Sequence, residues 1–178
     1  MSAAALYQQL YQAVSDDVIA SAKQIKLLIL DVDGVFSDGR IYLCNQCEEL
    51  KAFQTRDGYG FKALRIAGVE VAVITGRHSE IVAARMASLT IPYVYQGREH
   101  KVPAFEELLA TLQLEAAQVA YLGDDLSDWT VMQHVGLSAA VRDAHPWLTQ
   151  HANVVTHLPG GFGAVRELCD LILIAQNK

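Results

Sequence analysis

Short apolar runs alternate along the chain with longer segments in which apolar residues recur at helical spacing. This alternation is typical of a parallel sheet covered by helices on both faces, because each parallel strand needs a crossover before the next one. The pattern therefore predicts the α/β class, with a doubly wound, Rossmann-like parallel sheet. The predicted strands are 26–30, 69–74, 93–95, 119–122, 137–141 and 153–155.

Apolar residues at Leu6, Leu10, Val14 and Val18 predict an N-terminal helical segment. Pro103 and Pro146 are suited to first helical turns, where a missing N–H costs nothing. No linker or repeat interrupts the chain, so we expect a single domain over residues 1–178. The other predicted helices are 60–67, 79–89, 102–112, 127–134 and 163–175.

Residues 40–53 break the alternation and predict a small β-hairpin flap with Asn45 and Gln46 in its turn. Cys44 and Cys47 flank this turn, but a structural zinc ion needs four ligands and Cys169 is the one other thiol. The two cysteines therefore do not predict a zinc site.

Composition narrows the classes of partner. The 178 residues are 52% hydrophobic and carry a formal net charge of −6, which disfavours attraction to nucleic acid or to anionic lipid. No apolar run approaches the ~20 residues of a membrane span, and no basic segment leads into a signal-peptide core. Three cysteines are an odd number and suit a reducing compartment. We therefore expect a cytoplasmic protein without a nucleic-acid or membrane partner.

The most informative segment is the first predicted strand, which stops abruptly at Asp31, Asp33 and Gly34. In open α/β sheets ligands bind just beyond the carboxyl ends of strands. Two carboxylates at this position can divide the work, one acting as nucleophile and the other as general acid and base. The alternative interpretation is an ordinary acidic turn, since Asp and Gly are common in turns.

Three further segments favour the catalytic interpretation over the acidic turn. Thr75 follows the next strand and offers a hydroxyl for phosphate oxygens, and Lys101 offers a cation before a predicted helix. A second acidic loop, 123–128, follows the strand at 119–122. Two facing acidic loops repel each other unless a cation lies between them, and Mg²⁺ favours such hard oxygen ligands.

These segments, taken in order, resemble the four motifs of the haloacid-dehalogenase superfamily of phosphatases. The resemblance implies that Asp31 attacks phosphorus, that Asp33 protonates the leaving oxygen and later activates water, and that Thr75 and Lys101 bind the phosphoryl group. The matching residues are Asp31-Val-Asp33-Gly34, Thr75, Lys101 and Gly123-Asp124-Asp125-x-x-Asp128.

The same resemblance implies a cofactor, Mg²⁺, held by Asp31, Asp124 and the carbonyl of Asp33. Asp125 and Asp128 are then expected to orient the metal ligands and Lys101. The intervals between the motifs are too short for a cap domain, so we expect a capless site. Such a site stays open to a large substrate or is closed by neighbouring subunits, and an apolar flap suits the second arrangement.

Over about residues 24–176 the chain more closely resembles the 3-deoxy-D-manno-octulosonate 8-phosphate phosphatases, which are capless tetramers of lipopolysaccharide synthesis. This resemblance rests on segments such as Arg56-Asp-Gly-Tyr-Gly60, Ile74-Thr-Gly-Arg77 and Gly160-Gly-x-Gly. It implies Mg²⁺-dependent hydrolysis of a phosphorylated sugar acid through an aspartyl phosphate, and a homotetramer. For Lys62 and Arg85 the alternative is a solvated helix face. The implied substrate contacts are Asp33, Gln54, Thr55, Arg56, Asp57, Gly58, Lys62, Gly76, Arg77, Arg85 and Lys101.

Three alternatives remain open at the level of sequence. A receiver-type signalling domain also forms an aspartyl phosphate, although its acceptor follows a middle strand rather than the first. A catalytically silent scaffold is the second alternative. The third is a phosphatase for a nine-carbon nonulosonate 9-phosphate or another sugar phosphate, since both acids are phosphorylated 2-keto acids.

Overall fold

The computed structural model describes residues 2–42 and 49–178. The strands of this part of the chain are β1 Leu27–Leu30, β2 Glu70–Ile74, β3 Tyr93–Tyr95, β4 Val119–Gly123, β5 Leu137–Ala140 and β6 Val154–Val155. They form one sheet in the order β3-β2-β1-β4-β5-β6, and all neighbouring strands are parallel. The predicted doubly wound sheet is confirmed, and its order differs from the 2-1-3-4-5 order of receiver-like folds.

Eight α-helices and one short 3₁₀ turn, Ala116–Gln118, connect these strands in the described part of the chain. The predicted Pro103 and Pro146 both lie in first helical turns. The helices are α1 Ala3–Leu10, α2 Asp16–Gln24, α3 Thr55–Ile66, α4 Glu80–Ser88, α5 Val102–Leu112, α6 Leu126–Met132, α7 Pro146–His151 and α8 Ala164–Ala175.

Two helix predictions need correction. The N-terminal segment is two helices rather than one, because the Ser15 hydroxyl accepts a hydrogen bond from Val18 N at 3.3 Å and so starts α2 afresh. Helix α3 begins at Thr55 rather than at residue 60. Gly58 and Gly60 weaken its helical pattern in the sequence, but they let α3 approach its neighbours closely, since a Cβ on Gly60 would lie 3.0 Å from Cys169 Sγ.

The central strand β1 separates two apolar cores. All four of its residues are buried, with Leu28 and Leu30 in one core and Leu27 and Ile29 in the other. This is the side-chain alternation expected of a strand covered on both faces. Truncating one such leucine to alanine is expected to cost about 2–5 kcal/mol of stability. The sheet is therefore a rigid base for the loops at its carboxyl edge.

The predicted flap is only partly described. Residues 40–42 and 49–53 are not in strands, and Ile41, Tyr42 and Leu50 are exposed there. The predicted turn, with Cys44 and Cys47, lies in 43–48 and so outside the described residues. The hairpin stays a prediction. Among the helices of the described ranges, none has the length and apolar character needed to cross a bilayer.

Candidate active site

A cleft of about 280 Å³ lies at the carboxyl edge of the sheet. Asp31 and Asp33 enter it from the end of β1, and Thr75 enters it from the end of β2. Parallel strands end at one edge of a sheet, so residues far apart in sequence meet here. The lining residues are Asp31, Asp33, Thr75, Gly76, Arg77, Glu99, Lys101 and Ser127.

Asp31 is almost completely buried, with 8% of its surface exposed. Its Oδ1 lies 3.1 Å from Lys101 Nζ, but this ion pair lacks hydrogen-bond alignment and no described donor bonds to that oxygen. Burial, and then the nearby Asp128 carboxylate, raise the pKa of Asp31 to about 6. Among the described residues this oxygen therefore has the ion pair with Lys101 and no aligned hydrogen bond, which leaves it available to a ligand.

Asp124 completes an acidic pair with Asp31. Burial and the carboxylates of Asp128 and Asp31 raise the pKa of Asp124 to about 8. Gly34 makes room for this side chain, since a Cβ there would lie 2.1 Å from Asp124 Oδ2. The φ of Gly34 is +93°, a conformation that other residues rarely adopt. The glycine after Asp33 is therefore needed for both space and backbone shape.

Asp128 has the opposite environment, because both of its oxygens accept hydrogen bonds. Oδ1 accepts from Lys101 Nζ and from the Tyr121 hydroxyl, each at 2.7 Å. Oδ2 accepts from the backbone N–H groups of Asp124 at 3.0 Å and Asp125 at 3.2 Å. Asp128 therefore orients Lys101 and the loop that carries Asp124. The predicted role of Asp125 also has a structural part, since its Oδ1 accepts from Leu126 N at the start of α6.

The residues fit the implied magnesium ion. One group of potential ligands stands out among the described residues, with atoms of Asp31, Asp124 and Asp128 all within 4.8 Å of one another. Asp128 is already occupied by donors, which leaves the buried Asp31 oxygen without a donor and the Asp124 carboxylate beside it. Burial raises the pKa of both carboxyls, and the Asp31 carboxylate raises that of Asp124 further, so a cation between the two favours their joint ionisation. Hard oxygen ligands of this kind suit Mg²⁺.

Asp33 is more exposed and is surrounded by cations. Its Oδ1 is in contact with Lys51 Nζ and accepts a hydrogen bond from the Ser37 hydroxyl at 3.3 Å. Its Oδ2 lies 3.9 Å from Arg77 Nε. The sequence interpretation placed Arg77 in the site but did not include Lys51.

The predicted substrate contacts divide into two groups. Gly76 and Arg77 line the cleft with Asp33 and Lys101, whereas the other seven do not line it in the described chain. Asp57 is fully buried and accepts a hydrogen bond from Arg166 N at 2.9 Å, at the start of α8. Outside the cleft are Gln54, Thr55, Arg56, Asp57, Gly58, Lys62 and Arg85.

These seven residues lie around helices α3 and α4. Lys62 lines a separate groove between α1, α3 and α8, and Arg56 lines a small pocket with Gly163 and Arg166. The Arg85 guanidinium lies 5.9 Å from the ring centre of Phe53, and its Nε is buried without a partner. Within one chain, the fold therefore separates the predicted phosphoryl-binding residues from most of the predicted sugar-acid contacts.

Four residues near the reacting groups were missed by the sequence interpretation: Glu99 and Ser127 in the cleft lining, Tyr121 behind Asp128, and Lys51 against Asp33. Tyr121 had one detectable signal, a phenol inside an otherwise apolar buried strand. Glu99 adjoins the predicted Lys101 loop. Lys51 lies in a segment of the family resemblance, Lys51-Ala-Phe, but no local pattern gave it a role in the site, because a lysine in an irregular segment is usually solvated.

Comparisons with known proteins agree with this geometry. The model of a family described as "haloacid dehalogenase-like hydrolase" matches residues 90–159. The 3-deoxy-D-manno-octulosonate 8-phosphate phosphatase KdsC of Yersinia pestis is 56% identical over 178 residues, which cover 100% of this chain and 95% of that protein. The enzyme of the same name from Escherichia coli K12 is 56% identical over 94% of this chain and 89% of its own length.

Solved structures give the same result. The crystal structure of the Yersinia pestis phosphatase has a TM-score of 0.94 and 57% identity, over 95% of this chain and 91% of that chain. The phosphatase from Moraxella catarrhalis, solved in complex with a magnesium ion, a phosphate ion and a KDO molecule, has a TM-score of 0.89 and 40% identity, over 91% and 93%. The chain therefore belongs to the 3-deoxy-D-manno-octulosonate 8-phosphate phosphatases, a family of haloacid dehalogenase-like hydrolases.

Proposed function

We propose that this chain is a Mg²⁺-dependent phosphatase that hydrolyses 3-deoxy-D-manno-octulosonate 8-phosphate to the free sugar acid and phosphate, in lipopolysaccharide biosynthesis. The observation that carries the proposal is Asp31, whose buried oxygen lacks a hydrogen-bond donor and lies 3.1 Å from the cation of Lys101 at a cleft. The names of the relatives support the substrate.

In the first step a carboxylate oxygen of Asp31 attacks phosphorus, and the bond between phosphorus and the sugar oxygen breaks. Lys101 and Thr75, both buried at the cleft, stabilise the negative charge on the equatorial phosphoryl oxygens. The carboxylates of Asp31 and Asp124 and the carbonyl of Asp33 would hold Mg²⁺, which would supply charge neutralisation for the approach of one anion to another. Because phosphoryl transfer depends mainly on positioning and charge, these residues suffice for the step.

Asp33 acts as the general acid in the first step and as the general base in the second. Its carboxylic acid gives a proton to the departing sugar oxygen, so the sugar leaves as a neutral alcohol. The resulting carboxylate then takes a proton from a water molecule as that water attacks the aspartyl phosphate. Phosphate leaves, Asp31 regains its carboxylate, and Asp33 is again protonated. The partial exposure of Asp33 suits a group that must reach a substrate oxygen and water in turn.

The sugar-acid contacts and the assembly are also proposals. We propose a homotetramer in which the exposed flanks of the flap, with Ile41, Tyr42 and Leu50, pack against neighbouring copies and close the sites. The separation of Lys62 and Arg85 from the cleft supports this arrangement, because a second copy can bring such cations to a substrate carboxylate. We also propose a cytoplasmic location, supported by the cysteine count, because three is an odd number and suits a reducing compartment.

A phosphate-release screen with Mg²⁺ tests the proposed function. The panel contains the octulosonate 8-phosphate, a nonulosonate 9-phosphate, hexose phosphates and p-nitrophenyl phosphate. We expect the highest kcat/KM with the octulosonate. A preference for the nonulosonate would replace the substrate but keep the chemistry, whereas no phosphate release from any monoester would overturn the proposal.

A further inference from the structure

Lys51 is an unusual lysine, because only 2% of its side chain is exposed. Its ammonium contacts Asp33 Oδ1 and lies 3.3 Å from Glu49 Oε1. A buried cation is costly unless it is paired, and here two carboxylates pair it. Lys51 therefore has a defined position rather than the freedom of a surface lysine.

Glu49 fixes Lys51 to the rigid part of the fold. Its Oε2 accepts a hydrogen bond from the Ser79 hydroxyl, which also accepts from Val82 N at 3.3 Å and so caps α4. The hydrogen bond from Ser79 and the contacts with Lys51 hold the pKa of Glu49 below its usual value. An ionised Glu49, anchored at the start of α4, is therefore a stable counter-ion for Lys51.

The two oxygens of Asp33 differ as a result. Oδ1 is in contact with Lys51 Nζ, and it shares the one proton of the Ser37 hydroxyl with the Val32 carbonyl, each at 3.3 Å from Ser37 Oγ. Oδ2 has no hydrogen bond in the described structure and lies 3.9 Å from Arg77 Nε. The contact between Lys51 and Oδ1 therefore restricts rotation of the carboxyl group.

We infer that Lys51 is a positioning residue for Asp33, whose carboxyl group it holds through Oδ1. The inference rests on the proposed function, in which Asp33 is the acid and base. Lys51 fixes Oδ1, so the orientation of the Asp33 carboxyl group toward the departing sugar oxygen and the attacking water depends on this contact. Holding a catalytic group in place matters strongly for rate, since a displacement of about 1 Å costs about 100-fold.

A double-mutant cycle of Lys51→Met and Asp33→Asn tests this inference. With the octulosonate 8-phosphate we expect Lys51→Met to lower kcat about 10- to 100-fold with little change in KM. In the Asp33→Asn background the same substitution should change kcat less than about twofold, because its effect passes through Asp33. Lys23→Met, on the exposed face of α2, is the control for loss of one positive charge.

A second substrate gives an independent reading. Single-turnover phosphorylation by p-nitrophenyl phosphate needs no proton on its leaving group, so Lys51→Met should slow it much less than it slows the sugar phosphate. Lys51→Arg, which keeps the charge, should recover part of the lost kcat. If Lys51→Met fails to fold by thermal unfolding and sizing, Glu49→Gln replaces it, with an expected fall in kcat of about threefold that is also absent beside Asp33→Asn.

The outcomes separate the inference from the proposed function. Equal losses in the two Asp33 backgrounds would overturn the positioning role and assign Lys51 to general stability. A raised KM for the sugar acid with unchanged kcat would instead make Lys51 a direct substrate contact. An inactive wild-type protein with every phosphate monoester would overturn the proposed function itself.

Discussion

Two buried carboxylates, Glu167 and Asp31, occupy opposite kinds of environment. Glu167 on α8 is fully buried, and its Oε1 accepts from the Tyr7 hydroxyl at 2.9 Å and from His157 N at 2.7 Å. Its Oε2 accepts from Leu158 N at 2.9 Å. Asp31 is nearly as buried, but its Oδ1 has no hydrogen bond and faces other carboxylates.

The comparison shows that hydrogen-bond donors distinguish a carboxylate with a structural role from one that is available for chemistry. The donors to Glu167 come from α1 and from two adjacent residues of the loop at 157–158, so one side chain of α8 ties these two segments together. Burial and Glu167 raise the pKa of Tyr7, which therefore stays a donor. Asp31 Oδ1 instead has an ion pair with Lys101 and no hydrogen bond among the described residues, which suits its proposed role as the nucleophile.

The largest expected effect is on turnover in Asp31→Asn. Without the carboxylate nucleophile, kcat should fall on the order of 10⁴-fold or more. The fold should be little affected, because Lys101 loses its ion pair with Asp31 but keeps its hydrogen bond to Asp128. Steady-state phosphate release and thermal unfolding measure the two effects. Near wild-type activity in freshly prepared protein, checked by mass spectrometry for deamidation, would contradict the nucleophile assignment.

Removal of the cation should be nearly as severe. EDTA is expected to stop turnover, and Mg²⁺ is expected to restore it. Mg²⁺ at 100 times its Kd should also stabilise the fold by about 2.7 kcal/mol, which is a rise of roughly 5–10 °C in Tm.

The acidic neighbours of Asp31 sharpen this test. Asp124→Ala should abolish the Mg²⁺-dependent rise in Tm, whereas Asp128→Ala should reduce it less, because Asp128 is occupied by Lys101 and Tyr121. Activity that is unchanged by chelation, or equal metal affinity in the two variants, would show that the carboxylate pair does not hold the ion.

Glu167→Ala should have the opposite effect to Asp31→Asn, because it should lower the stability of the fold rather than remove the proposed nucleophile. It leaves the backbone N–H groups of His157 and Leu158 and the Tyr7 hydroxyl without an acceptor, so the free energy of unfolding should fall by about 3 kcal/mol. Urea unfolding measures this loss, with Glu106→Ala on the exposed side of α5 as the control. A loss below about 0.5 kcal/mol would show that Glu167 does not tie these segments together.

Asp57 is an intermediate case, with Oδ1 bonded to Arg166 N and Oδ2 buried without a partner. Burial raises its pKa to about 6 from an ordinary value of 3.8. Because the folded state binds the proton more tightly, its contribution to stability is present below pH 4 and is lost as the pH rises through 6.

The substitution Asp57→Asn isolates that contribution. The stability of the variant relative to wild type should increase by about 1–3 kcal/mol between pH 4 and pH 7.5. Urea titrations at the two pH values measure the change, and the constant effect of the amide cancels in the difference. A difference that does not vary with pH would show that this carboxyl keeps its ordinary pKa in the fold.

Local patterns in the sequence were sufficient for the sheet and for the order of the reacting segments. Strand β1 is a run of apolar residues that ends at Asp31, and the parallel arrangement of β1, β2 and β4 brings their carboxyl ends together without further information. The sequence did not predict where a helix begins when one short signal interrupts a longer pattern, as at Ser15. It also failed where glycines weaken the helical pattern, as at Gly58 and Gly60 in α3.

The tertiary structure alone decided which charged groups are satisfied. Asp57 accepts from Arg166 N, 109 positions away in the chain, and Glu167 accepts from the Tyr7 hydroxyl, 160 positions away, whereas no described donor bonds to Asp31 Oδ1. The pairing of Lys51 with Asp33 is likewise a contact between two loops that no local pattern encodes. Hydrogen bonding and desolvation depend on three-dimensional neighbours, so the sequence determined where the chemistry lies and the fold determined which carboxylate is free to perform it.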